Sequence, residues 1–261
     1  MPFGLAIHTS SPELGLAIGA VASPAAGSSP TAELLAKPLS SQSFLTSQPN
    51  PDQLPAPLSP DQPIRWQTWN LGREVSGQLQ QIVLDFLLPQ AWQDLAFIAV
   101  AKGPGGFTGT RLGVVMARTL AQQLNLPLFG YSSLAAIAQA TLQDPEQRGN
   151  LPLSTSLIAV QMPAQRGELH TALYQIDAAQ SDSLGGRSID PTAVLPDSVL
   201  SETAWQTKLA QLNHPYFVIE TPSQQGFAVS ALWQLARQAW LQGDRPHWAN
   251  TLPTYGQHPV N

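Results

Sequence analysis

The apolar positions of this chain fall into short unbroken runs and helix-spaced stripes, and their order predicts a mixed α/β protein. Phe3–Ile7 and Leu14–Val21 are apolar runs separated by the polar turn His8-Thr-Ser-Ser-Pro-Glu13, the pattern of a β-hairpin. Ile64–Trp69 reads as a third strand. Gly72–Leu88 reads as a helix whose stripe is Val75, Leu79, Ile82, Val83, Phe86 and Leu87, with Pro89 just past its end. Leu95–Ala101 is a continuous apolar run, as expected of a strand covered on both faces, and helical spacing follows from Thr108 to Leu124. Pro127–Tyr131 is extended, and Ser132 or Ser133 can cap a helix running to about Leu142.

The second half repeats the scheme. Ser156–Met162, Leu169–Ile176 and Ser188–Leu195 read as three strands, Ser198–Leu212 as a helix, Tyr216–Glu220 as a strand and Phe227–Leu241 as a helix. Strand, strand, strand, helix, strand, helix thus occurs twice with few matching residues, as in the duplicated actin-like ATPase fold (ASKHA, ribonuclease H-like). We therefore expect two lobes, 1–143 and 144–261, each with a mixed sheet and flanking helices, joined by the linker Asp144–Asn150. Between Ser23 and Pro63 the pattern stops: nine prolines and eight serines accompany four charged residues. Such a stretch buries too little apolar surface to offset its ordering entropy, so 23–63 is expected to be a flexible insertion in the first lobe, and the PxxP spacing at Pro57 and Pro60 reads as surface loop. Trp205, Trp233 and Trp240 on the second-half helices read as packing residues.

Composition narrows the function. The chain has 261 residues, 43% of them apolar, enough for a sizeable core. Charged residues make up 11%, against roughly 25% in typical domains, so part of the surface is expected to lie against a partner. A net charge of -5 with scattered basic residues argues against gripping nucleic acid alone. No cysteine means no disulfide, thiol nucleophile or thiolate metal site. With neither a membrane-length apolar run nor a signal-like N-terminus, a cytoplasmic location is expected.

The densest chemistry lies in Ala101-Lys-Gly-Pro-Gly-Gly-Phe-Thr-Gly-Thr-Arg111, a glycine-rich turn from a strand into a helix. Free N–H groups and the positive end of the helix dipole meet at such a turn, so it is either a phosphate cradle or simply a tight turn. The cradle residues would be Gly103, Gly105, Gly106, Thr108 and Gly109, with Thr9 and Ser10 from the first hairpin. Lys102 could neutralise a phosphate, but the spacing is not that of a Walker A loop. Gly105, Gly109, Gly113, Ala117 and Ala121 recur every fourth residue and give one smooth face, open either to packing within the chain or to a contact between subunits. The candidate contact set is Gly109, Arg111, Leu112, Gly113, Met116, Ala117 and Leu120, with Val75, Leu79 and Ile82 from the preceding helix. Arg111 and Arg118 can meet carboxylates of a partner or simply be solvated. His8, His170, His214, His247 and His258 are dispersed without a paired-histidine motif, so no metal site is expected, and no Gly-x-Ser-x-Gly is present.

Several segments together resemble the TsaB family of the tRNA threonylcarbamoyladenosine machinery. They are Leu5-Ala-Ile-His-Thr-Ser-Ser11, Gly103-Pro-Gly-Gly-Phe-Thr-Gly-Thr-Arg-Leu-Gly113, Pro127-Leu-Phe-Gly-Tyr-Ser-Ser-Leu134, Gln165-Arg-Gly-Glu-Leu-His-Thr-Ala-Leu-Tyr174 and Leu252-Pro-Thr-Tyr255. The chain departs from the family pattern at His8, where many relatives have Asp, at Gly106 for Ser and at His170 for Tyr. A histidine common in the family is absent between Arg73 and Gln78. The resemblance implies a two-lobed actin-like fold without the metal histidines of the paralogous transferase TsaD. It implies a non-catalytic scaffold that dimerises through first-lobe helices, pairs with a TsaD-like transferase and supports recruitment of a TsaE-like ATPase. It would meet tRNA only through that complex, form a homodimer when alone and require no cofactor, with nucleotide binding an open question. The competing readings are an actin-like kinase or ATPase using the glycine loop, and a metallopeptidase-like enzyme.

Overall fold

The computed structural model describes residues 2–21, 64–144, 147, 149, 151, 152, 154–181 and 187–254. The proline- and serine-rich insertion, most of the expected linker and Tyr255 lie outside the described residues. In the first half, strands β1 (Phe3–His8), β2 (Glu13–Ala20) and β3 (Ile64–Asn70) precede helix α1 (Val75–Leu87). Strand β4 (Leu95–Ala101), helix α2 (Phe107–Leu124), strand β5 (Leu128–Tyr131) and helix α3 (Ser133–Gln143) follow. The second half holds β6 (Leu157–Pro163), β7 (Glu168–Ser181), β8 (Arg187–Ser201), α4 (Glu202–Ala210), β9 (Tyr216–Glu220) and α5 (Val229–Leu241).

The strands form two sheets that fall on either side of residue 144, in the orders β3-β2-β1-β4-β5 and β8-β7-β6-β9. In each sheet the first three strands pair antiparallel and the fourth joins the first in parallel. The repeated topology read from the sequence is therefore present, with β5 as the extra strand of the first sheet, and the fold is the duplicated actin-like α/β architecture. One expected boundary is corrected. Ser198–Leu212 is not helical throughout, because Ser198–Ser201 still pair with Glu168–Thr171, and the helix begins at Glu202. Ser201 is its cap, accepting the Ala204 N–H at 3.2 Å. Strand pairing overrides the first available serine cap.

Each half lends a helix to the other. α1 and α2 cover the outer face of the first sheet over Leu5, Ile7, Leu16, Ile98 and Val100. The inner face, with Phe97 and Ala99, is covered by α5 from the second half, while α3 from the first half lies on the second sheet. α4 covers that sheet's outer face through Trp205 and Leu209. One core thus runs between the sheets, which explains why Trp233 is buried and Trp240 packs against that core, whereas Trp205 is buried in the separate cluster under α4. A polar group inside the core between the sheets is paired across the halves: the buried Gln139 on α3 accepts from the Ile189 N–H at 2.9 Å and the Ser188 hydroxyl at 3.1 Å.

Trp233 ties α5 to the first sheet by donating its indole N–H to Gly4 O at 2.8 Å, where the β1–β4 register slips. Trp233→Phe keeps most of the apolar volume but leaves that carbonyl without the indole donor. We expect it to destabilise by about 1–3 kcal/mol, read as a thermal midpoint several degrees lower with the secondary structure unchanged.

Candidate functional site

Parallel pairing of β1 with β4 and of β4 with β5 brings the carboxyl ends of all three strands to one edge of the first sheet. Three segments meet there: the turn after His8, the Lys102–Gly106 loop and Ser132 at the start of α3. The loop folds onto the turn, and the Gly106 N–H donates to Ser10 O at 2.7 Å. A Cβ built at Gly105 would collide with Ser10 O, one at Gly109 with Thr9 O and one at Gly113 with Thr9 Oγ1. The glycines of the small-residue face are thus the track on which α2 approaches the His8–Ser11 turn.

This geometry relocates the expected contact set. Gly113 and Ala117 are buried inside the first half, as are Val75 and Leu79 on α1, while Gly109 lies under the Thr9 carbonyl. Close packing within the chain accounts for the smooth face, so those five positions are not surface available to a partner. What faces outward is the other flank of α2. Phe107 and Val115 keep 47% and 60% of their surface exposed, and Leu112, Met116 and Leu120 are half-buried, as is Ile82 on α1. Arg111 is exposed on the same flank with its guanidinium 3.7 Å from the Phe107 ring centre, while Arg118 turns inward to Thr251 O at 3.3 Å. Thr108 is exposed on the first turn.

Beside the loop, five buried side chains carry polar atoms that make no hydrogen bond to another protein group: His8, Thr9, Ser10, Thr110 and Ser133. His8 is fully buried, and burial pushes its imidazole down to about 4. It is therefore neutral in the fold at neutral pH. Because the folded value lies below the unfolded one, the stability this supplies is complete above about pH 6.5. It is lost as pH falls toward 4, where the unfolded chain binds the extra proton, and the difference amounts to about 3 kcal/mol. We expect His8→Asn to flatten the fall in unfolding free energy between pH 6.5 and 4, measured by urea titration at each pH.

Across from the strand ends, Asp197 reaches from β8 to the start of α3. Its carboxylate accepts from Ser132 Oγ at 2.9 Å and Tyr174 Oη at 3.3 Å, while Ser132 Oγ also caps the Leu134 N–H at 3.1 Å. Burial raises the Asp197 carboxyl above its usual range, opposed by the Ser132 and Tyr174 hydrogen bonds and the Lys102 charge. Burial likewise pushes the Tyr174 phenol up, and it lowers His170 against the pull of Glu168. On the other flank, Glu13 accepts the Gly226 N–H at 3.0 Å and Ser11 Oγ accepts the Gln225 N–H at 3.3 Å. Among the described residues no three of His, Asp and Glu are grouped to hold a metal ion. An apolar cavity of about 260 Å³ under α4, lined by Leu173, Val194 and Trp205, opens on the far face of the second sheet.

Residues 80–244 match the model of the family described as TsaD, tRNA N6-adenosine threonylcarbamoyltransferase. The chain belongs to this family. Within it the chain is similar to TsaB proteins. The TsaB protein of Bacillus subtilis is 33% identical over 123 residues, 47% of this chain and 45% of that protein. The Escherichia coli TsaB protein is 33% identical over 107 residues, 40% of this chain and 43% of that protein. The chain thus spans less than half the length of the curated TsaB relatives it matches. A Pseudomonas aeruginosa structure described as similar to peptidase YEAZ superposes over 98% of this chain and 100% of its own. Its TM-score is 0.62 at 18% identity, which shows a common fold. YeaZ from the same organism gives a TM-score of 0.57 over the same shares.

Sequence reasoning located the glycine loop and the turn beneath it, and left the cap of α3 to Ser132 or Ser133, of which Ser132 holds it. It missed Glu13, Gln225, Gly226, Asp197 and Tyr174. The Glu13–Gly226 and Ser132–Asp197 pairs lie 213 and 65 positions apart, beyond the reach of local spacing. The available signal was the duplication itself, which predicts that the turn after each first strand faces the opposite half.

Proposed function

We propose that this chain acts in tRNA threonylcarbamoyladenosine biosynthesis as a non-catalytic partner subunit. The outward flank of α2 pairs with a TsaD-type transferase, and the pair recruits a TsaE-type ATPase. Alone, the same flank pairs two copies of this chain. It works in the cytoplasm, meets tRNA only within the complex and needs no cofactor of its own. No helix among the described residues is long and apolar enough to cross a membrane.

The observation that carries this reading is the outward strip of exposed Phe107 and Val115 with half-buried Leu112, Met116 and Leu120 beside them, on a chain with so few charges. The strand ends support it from the other side. A magnesium nucleotide fits them poorly: the Gly106 amide is used on Ser10, His8 is a buried neutral imidazole, and the remaining glycine contacts are filled by backbone. Reconstitution of threonylcarbamoyl transfer tests the proposal, which expects transfer by the TsaD-type enzyme to fall at least tenfold when this chain is left out. Equal rates with and without it would refute the subunit role.

One observation favours a second reading, an actin-like kinase or ATPase. The hydroxyls of Ser10, Thr110 and Ser133 are buried at the glycine loop without a protein partner. Titration with ATP and magnesium decides between the two, since heat of binding below a millimolar would favour the enzyme.

A further inference from the structure

Three helix N-termini converge between the two sheets, and an oxygen of the chain itself lies at each. At α2 it is the Ser10 carbonyl, 2.7 Å from the Gly106 nitrogen. At the helical turn Gly226–Ala228 that leads into α5 it is the Glu13 carboxylate, 3.0 Å from the Gly226 nitrogen. At α3 it is the Asp197 carboxylate, 2.9 Å from the Oγ of the capping Ser132 and 3.3 Å from the Tyr174 hydroxyl. A helix N-terminus carries the equivalent of about half a positive charge, so these are the places where an anion is most stabilised.

The two carboxylates are exchanged between the halves. Glu13 sits at the start of β2 in the first sheet and holds the helix that leaves β9 of the second. Asp197 sits on β8 of the second sheet and holds the helix that leaves β5 of the first. Each of these helices already packs on the opposite sheet, so each carboxylate bridges the halves at the start of the helix that crosses between them. In open α/β proteins that bind phosphorylated ligands, the anion at such helix ends is brought by the ligand, and its arrival closes the domains.

We propose that Glu13 and Asp197 are resident anions which together hold the two lobes closed, doing within the chain what a bound phosphate does in a ligand-gated cleft. Closure is then a permanent property of the subunit, independent of nucleotide. Both contacts report on one motion, so weakening either loosens both. A pair of merely local helix caps behaves differently, because losing one affects its own helix alone.

Amide hydrogen exchange on the full chain at pH 7.5 separates these cases. Glu13→Gln and Asp197→Asn keep the side-chain shape and remove the charge. For each single variant we expect exchange to accelerate at least tenfold both at 224–230 and at 132–137, with β4 unchanged and a larger radius of gyration by X-ray scattering. Acceleration confined to the variant's own helix, or no acceleration at all, overturns the proposal. The unaltered chain supplies an independent check that does not depend on either variant folding. Its Gly226 and Leu134 amides should open with the same free energy and the same dependence on denaturant, and distinct values for the two overturn the clamp.

Discussion

Leucine at position 113 will cost this chain its fold rather than a partner. In an exposed helix interior, replacing glycine by a side chain with better helix propensity gains up to about 1 kcal/mol. Here even a methyl group meets Thr9 Oγ1 at Gly113 and the Thr9 carbonyl at Gly109. The second collision is with backbone that β1 holds between β2 and β4, so neither side can yield without moving the first sheet or α2. Overpacking of this kind commonly costs about 1–3 kcal/mol for small additions. Gly109→Ala is therefore expected to destabilise by about 3 kcal/mol. Gly113→Leu adds four carbons at a fully enclosed site and should exceed about 5 kcal/mol, comparable to the whole stability of many domains. Circular dichroism and thermal unfolding check both: a soluble Gly113→Leu protein with a native midpoint would show that α2 does not sit as described.

The same glycines show where sequence reading succeeds and where it stops. Spacing at every fourth residue says that something approaches the helix closely, and it does. It cannot say whether that something is the chain's own His8–Ser11 turn or another subunit, because a free face and a filled one leave the same pattern. Leu95–Ala101 and Tyr216–Glu220 were legible to the residue, each as a short strand between helical segments. Ser198–Ser201 were not, since their state is set by pairing with β7. Nor was the exchange of helices between the sheets legible. α3 and α5 are apolar on broad faces that suit either sheet, and the choice rests on contacts such as Trp233 with Gly4, 229 positions apart. His8 was recognised as a departure from the family's acid. Its burial as a neutral ring followed only from the parity of β1, which sends Ala6 to the inner core and Leu5 and Ile7 to the outer one.

With the glycine track committed inside, Val115 becomes the position whose change should most affect assembly. It lies at the centre of the outward flank and is 60% exposed. Its neighbours Leu112 and Met116 are half-buried, and Phe107 is stacked under Arg111 two turns earlier. A charge at the centre of a desolvated apolar patch loses its hydration on binding and finds no partner, and central interface positions commonly account for 2 kcal/mol or more. Val115→Asp is therefore expected to weaken the proposed pairing with a TsaD-type transferase by about thirty-fold or more, since each 1.4 kcal/mol is a factor of ten. An exposed helical position tolerates the change with less than about 1 kcal/mol lost from the fold itself. Val194→Asp is the matched control: that valine is 54% exposed beside the cavity on the far side of the molecule, and its substitution should leave pairing intact. Sedimentation or calorimetry with the purified transferase reads both variants. Equal affinity for Val115→Asp and the unaltered chain would move the contact off α2, whereas loss with Val194→Asp instead would place it on the second sheet.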